Sequence, residues 1–217
     1  IDRSRGLGDV YKRQVYFLDT RHDSNDEGHI SLSDRLYSGG DEMRVRQEYL
    51  LGVGGIRALK ILGHWPLKGL HLNEGHCSMA ALEMMRQGWS REEVSSRTLF
   101  TTHTPVAAGH DRFEWGLVEG VVEDLIGPEE KKVANDGGRC SMSHLGIGMA
   151  GNVNAVSILN AEVASGMFPG ADISPITNGV HHPTWISPTM SRLYDEELQG
   201  WRSDGSILLE ADTLLSL

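Results

Sequence analysis

Gly69-Leu70-His71-Leu72-Asn73-Glu74-Gly75-His76-Cys77-Ser78 begins as a short strand, residues 69–73, and empties into Glu74-Gly75-His76. Residues 78–87 then have the composition of a helix. The arrangement recurs at Thr98-Leu99-Phe100-Thr101-Thr102-His103, a β-branched and aromatic run that ends in polar residues and then Pro105. Two strand ends thus deliver histidines. In open α/β sheets, ligands sit at the carboxyl ends of the strands, so topology alone makes His76 and His103 candidates.

Working outward, short apolar runs alternate with longer amphipathic ones, the pattern of an α/β fold with helices packed on a sheet. Residues 43–62 place Met43, Leu50, Val53, Ile56 and Leu59 at mostly helical spacing, with Arg44, Arg46, Glu48 and Arg57 left for the other face. Val15-Tyr16-Phe17-Leu18-Asp19 reads as the start of a buried strand, whereas residues 1–14 show no periodicity and read as a foreign leader. Residues 111–132 suggest a loop and a helix around 117–126, and residues 135–139 a glycine-rich turn. Residues 143–167 read as one helix-like stretch despite four interior glycines. Residues 173–180 read as a further strand and residues 189–198 as a last helix.

Composition removes several function classes. Lys and Arg total 20 against 30 Asp and Glu, a formal net charge of −10 that repels nucleic-acid backbones and anionic membranes alike. No apolar run approaches the roughly 20 residues of a membrane helix, and no secretory h-region is evident. Cys77 and Cys140 form no CxxC pair, so reduced thiols in a cytoplasmic protein are expected.

Gly146-Ile147-Gly148-Met149-Ala150-Gly151 matches the dinucleotide fingerprint in letters only. The preceding Ser141–Leu145 does not read as the strand such a loop must leave, which favours close-packing glycines; Gly52 reads the same way. The ten histidines match no metal-ligand spacing, so no metal is expected. His71 reads as a packing residue, and His22, His29, His64 and His144 as surface or loop positions. A GxSxG elbow and a Walker A loop are both absent. Glu74 at a strand end suits a glycosidase acid, yet nothing identifies its partner carboxylate.

Three segments in order resemble the short bacterial and archaeal type of α-glucan phosphorylase. They are His71-Leu72-Asn73-Glu74-Gly75-His76, the run Thr101–Val106 continued by Gly109-His110-Asp111-Arg112-Phe113, and Ile176-Thr177-Asn178-Gly179-Val180-His181 with Thr184-Trp185. Asp41–Tyr49 is similar to the helix that enters the family's N-terminal core, and the resemblance runs from about residue 15 to 201. It implies a GT-B protein of two Rossmann-like domains, with residues 15–217 forming part of the N-terminal, glucan-binding one and the chain an internal piece. The implied reaction is phosphorolysis of glycogen or maltodextrin by inorganic phosphate, yielding α-glucose 1-phosphate from the non-reducing end with retention. The phosphate of pyridoxal 5′-phosphate, carried on a lysine outside this chain, would assist proton transfer, so the chain alone is expected to hold no cofactor and to be inactive.

By the same resemblance, Asn73, Glu74 and His76 line the glucan side of the cleft, Glu74 and His76 bonding sugar hydroxyls and His76 being the catalytic candidate. His103 and His110 are structural or near the cleft, and Asn178 is a structural turn. Asn160 stands where the family has a histidine that holds the glucosyl unit; it keeps hydrogen-bonding capacity but loses the imidazole's titration. Another GT-B glucan glycosyltransferase, or a catalytically dead glucan-binding module, remains as an alternative, and homo-oligomer formation is left open.

Overall fold

In the computed structural model, residues 14–36 and 39–216 are described, and the leader expected over residues 1–14 lies, but for Gln14, outside them. The described chain divides into two compact units at Thr177 and Asn178.

The first unit opens with an irregular segment holding one helical turn, α1 (Glu27–Ile30). A long helix follows as α2 (Asp41–Tyr49), a π-helical stretch (Leu50–Gly54) and α3 (Gly55–Ile61). Then come β1 (Leu70–Asn73), α4 (Met79–Arg86), α5 (Arg91–Arg97) and β2 (Thr98–Thr102). A small antiparallel sheet combines β3 (Arg112–Phe113), β4 (Asn135–Asp136) and β5 (Arg139–Ser141), interleaved with α6 (Trp115–Val122) and α7 (Pro128–Ala134). Finally α8 (Met142–Met149), β6 (Asn152–Ala155), α9 (Ile158–Met167) and β7 (Ile173–Pro175) complete the unit.

The main sheet is parallel throughout in the order β1-β2-β6-β7, with Asn73 beside Thr101 and Thr101 beside Asn154. This is the expected α/β class, and parallel strands joined by helices place all four carboxyl ends on one edge. The core lies between that sheet and α4 and α8: Leu72, Phe100, Met79, Met84, Met142 and Met149 are each at most 1% exposed. Each such side chain contributes about 1.5–3 kcal/mol by leaving water.

Three local readings are corrected. Val15–Asp19 pairs with no strand among the described residues, and Val15 and Phe17 are 60% and 88% exposed; a strand without a ladder partner has no stable place for its backbone groups. The stretch 143–167 is not one helix, because β6 interrupts it at the middle of the main sheet. Asn154 hides this strand from an apolar search, since its buried amide is compensated by accepting from the Thr101 hydroxyl at 2.6 Å. Residues 128–134 add a helix that begins at Pro128, the position where a missing N–H costs nothing.

The glycines do pack closely. Gly52 lies against the backbone of Ala80, where an added Cβ would come 2.8 Å from its nitrogen. Gly146, Gly148 and Gly151 meet Phe100, Val133 and the Ser95 carbonyl respectively, three different elements rather than one phosphate cradle.

The second unit, residues 178–217, contains α10 (His182–Trp185), α11 (Pro188–Glu197) and a 3₁₀ segment (Gly205–Ser216). Its centre is Trp201, 1% exposed, whose indole N–H donates to Asp195 at 3.0 Å beneath the Tyr194 and His182 rings. Asn178 is exposed in this unit.

Candidate functional site

At the end of β1 the backbone turns through Glu74 at φ 68° and ψ 179°, a region that glycine alone enters without strain. What holds it there is the carboxylate. Its Oε1 accepts from the backbone N–H groups of His103 and Thr104, the latter at 2.9 Å, and from the Thr102 hydroxyl at 3.3 Å. Glu74 therefore ties the end of β1 to the loop leaving β2. The side chain expected to meet sugar hydroxyls is 9% exposed and has one oxygen committed to three protein donors.

His110, 8% exposed, closes the same loop from below. Its Nε2 donates to the Thr104 carbonyl at 3.1 Å, so in the neutral ring Nδ1 accepts from the Ser143 hydroxyl at 2.8 Å. The ring stands edge-on to Phe168 at 5.1 Å. Asn160, 6% exposed at the first turn of α9, is equally occupied: Oδ1 accepts from Val156 N–H at 3.2 Å and Nδ2 donates to the His103 carbonyl at 3.4 Å. Thus Asn73, Glu74, His76, His103, His110 and Asn160 all gather at the carboxyl ends of β1, β2 and β6. Asn73 and His103 are the exposed members. His71 is exposed rather than packed, and its Nε2 meets the Thr101 hydroxyl at 2.7 Å.

His76 belongs to a charged cluster that sequence reasoning did not assemble. The Arg44 guanidinium donates to Asp111 Oδ2 at 2.5 Å and to Glu48 Oε1 at 3.3 Å. His76 Nδ1 lies 3.2 Å from the same Asp111 oxygen and 3.8 Å from Glu48 Oε1. Arg44 and Glu48 come from the polar face of α2, yet their side chains are only 11% and 1% accessible. The signal lay in the i, i+4 spacing of Arg44 and Glu48 beside the family-like motif; what sequence could not show is that loop 103–111 folds back to bring Asp111 onto them.

Burial pushes the Glu48 carboxyl up to about 7, against a lowering contact with His76. Hydrogen bonding to Asp111, then to Glu48, lifts His76 to about 9. Asp111 is held well below the carboxylate range: partial burial acts upward, but the bonds from His76 and Arg44 outweigh it. Both raised groups favour folding in their protonated forms, so their contribution is present at low pH and is lost as pH rises through about 7 for Glu48 and about 9 for His76. The urea midpoint of the chain is accordingly expected to fall between about pH 4.5 and 9, and Glu48→Gln to flatten the part of that fall below about pH 7.

Glu48, His76 and Asp111 have ligand atoms within 4.8 Å of one another, a geometry open to a cation. Arg44 Nη2 stands 2.5–3.3 Å from all three, and its guanidinium already supplies the positive charge there. Beside the cluster a cavity of about 570 Å³ is walled by Leu18, Leu32, Leu50 and Leu59, with Arg44, Glu48 and His76 contributing its polar lining.

The chain is 35% identical over 230 aligned positions to a glycogen phosphorylase of Mycobacterium tuberculosis, covering 89% of this chain and 26% of that protein. It is 35% identical to a maltodextrin phosphorylase of Thermococcus litoralis, with the same coverage, and 33% identical to a glycogen phosphorylase of Aquifex aeolicus over 87% of the chain and 31% of that protein. The chain spans about a quarter of the length of the first two relatives. No protein-family profile matches it.

Proposed function

Because this chain is, over 89% of its length, a homologous segment of the glycogen and maltodextrin phosphorylases, we propose that the protein carrying it is an α-glucan phosphorylase of GT-B architecture. It releases α-glucose 1-phosphate from glycogen or maltodextrin with inorganic phosphate as acceptor. The homology carries the proposal; the gathering of six polar residues at one edge of a parallel sheet supports it, since that edge is where such folds take ligands. Residues 15–177 would contribute the glucan side of the cleft. In it Asn73, His76 and His103 are the sugar-facing groups, while Glu74, His110 and Asn160 hold the loops. Their amide and imidazole groups both donate and accept hydrogen bonds, which suits a hydroxyl-rich ligand.

Pyridoxal 5′-phosphate belongs to the same proposal for the complete protein, but the described residues do not fit it. Lys60, Lys131 and Lys132 lie on helices, bonded to Gln87, Glu119 and Glu129, and Lys68 precedes β1 at the opposite end of the strand. None is placed to form a Schiff base at the strand-end site, so no step is derived through the cofactor. A cytoplasmic location is part of the proposal as well; no helix among the described residues is long and apolar enough to cross a membrane.

The test is an assay of the complete protein on maltodextrin. Saturable, phosphate-dependent release of glucose 1-phosphate is expected. Transfer from a nucleotide sugar without phosphate dependence would instead identify a glucan synthase, and glucan binding without turnover a dead binding module.

A further inference from the structure

We propose that Glu48 is a positioning residue for His76: from the buried face of α2 it fixes the orientation and charge of the imidazole that reaches the strand-end site.

The geometry carries this. Glu48 has two oxygens in different situations. Oε1 is shared by Arg44 at 3.3 Å and faces His76 Nδ1 at 3.8 Å, whereas Oε2 is buried with no hydrogen-bond partner among the described residues. A carboxylate that is 1% accessible and has one oxygen unpaired stays ionised only if neighbouring cations hold it. Those cations are Arg44 and His76. In return, His76 Nδ1 faces two carboxylate oxygens, Asp111 Oδ2 and Glu48 Oε1, from two separate elements, which fixes the ring on one side.

With all four groups charged the cluster is neutral, Arg44 and His76 balancing Glu48 and Asp111. Moving one proton from His76 to Glu48 also leaves it neutral, so burial does not forbid either state and the two groups titrate as a pair. The other titratable groups facing Glu48 are the Cys77 thiol beside His76 and the Cys140 thiol on β5; desolvation pushes them up to about 11 and about 12, so both remain neutral thiols throughout this range. Asp111 alone would leave His76 bonded but Glu48 uncompensated. Arg44 bonds both carboxylates, but its single positive charge balances only one of them.

The experiment is an NMR titration of the ¹⁵N-labelled histidines, with the His76 signal assigned by its loss in His76→Gln. Wild-type His76 is expected to titrate near 9. Glu48→Gln, which keeps shape and volume, should lower that midpoint by about one unit, a tenfold loss of proton affinity. An unshifted midpoint in Glu48→Gln overturns the proposal. So does a wild-type midpoint near the ordinary histidine value, which needs no variant to fold.

A second arm rests on the phosphorylase reading. In the complete protein, Glu48→Gln should lower kcat and move the alkaline limb of its pH profile by the same amount as the ring midpoint. A fall in activity with an unmoved pH profile would reduce Glu48 to a purely structural role and overturn the proposal. Absence of phosphorolysis in the wild type would defeat the phosphorylase reading and leave the titration arm standing.

Discussion

Glu74→Ala is expected to lower stability by about 3–5 kcal/mol, because it removes a buried carboxylate and leaves the amides of His103 and Thr104 without their acceptor. It also leaves a Cβ in a backbone region where only glycine is comfortable, at φ 68° and ψ 179°. Glu74→Gly removes the same acceptor but relieves that strain, so it should be about 1–2 kcal/mol more stable than the alanine variant. Urea unfolding of the two variants and the wild type measures both quantities. If alanine unfolds at the wild-type midpoint, the carboxylate is not what joins β1 to the loop after β2. If the two variants coincide, the backbone at residue 74 is not strained.

The second large effect sits on α8. Gly146→Ala would place a methyl group 2.5 Å from the Phe100 ring, in a core where Phe100 is fully buried. Overpacking of that kind costs about 1–3 kcal/mol, which outweighs the ~1 kcal/mol alanine gains over glycine in a helix. Gly166→Ala, in α9 with nothing within 4 Å of the added methyl, should show the gain alone. Opposite signs at two helical glycines, read by thermal unfolding, would establish that the GxGxxG letters here record helix packing. A stabilising Gly146→Ala would contradict this.

The strand ends were legible because β1 and β2 each end in polar residues after a short apolar or β-branched run, and a parallel sheet brings such ends together whatever the loops do. β6 was not, since a four-residue strand containing buried Asn154 has no apolar signature; its identity depends on the Thr101 hydroxyl that accompanies it. Glycines at 148 and 151 were readable as packing residues, yet not as the break between α8 and β6.

The site divides in the same way. Which residues reach the strand ends followed from the motifs, but what each side chain does there depends on contacts from distant segments. Glu74 and Asn160, expected to address sugar, spend their polar atoms on the backbone of residues 103 and 104 or 103 and 156. Arg44 and Glu48 had the i, i+4 spacing of a helical ion pair, and they are buried where His76 and Asp111, the latter 67 residues further along from Arg44, meet them. Helical periodicity cannot distinguish a polar face that meets water from one that meets a charged loop.

The central claim, that the carboxyl ends of β1 and β2 face an α-glucan, is tested most directly by hydrogen–deuterium exchange of the complete protein with and without maltoheptaose and phosphate. Protection concentrated in peptides covering residues 73–77 and 102–111 is the predicted result. Saturating ligand that protects other regions and leaves those two unchanged would contradict it.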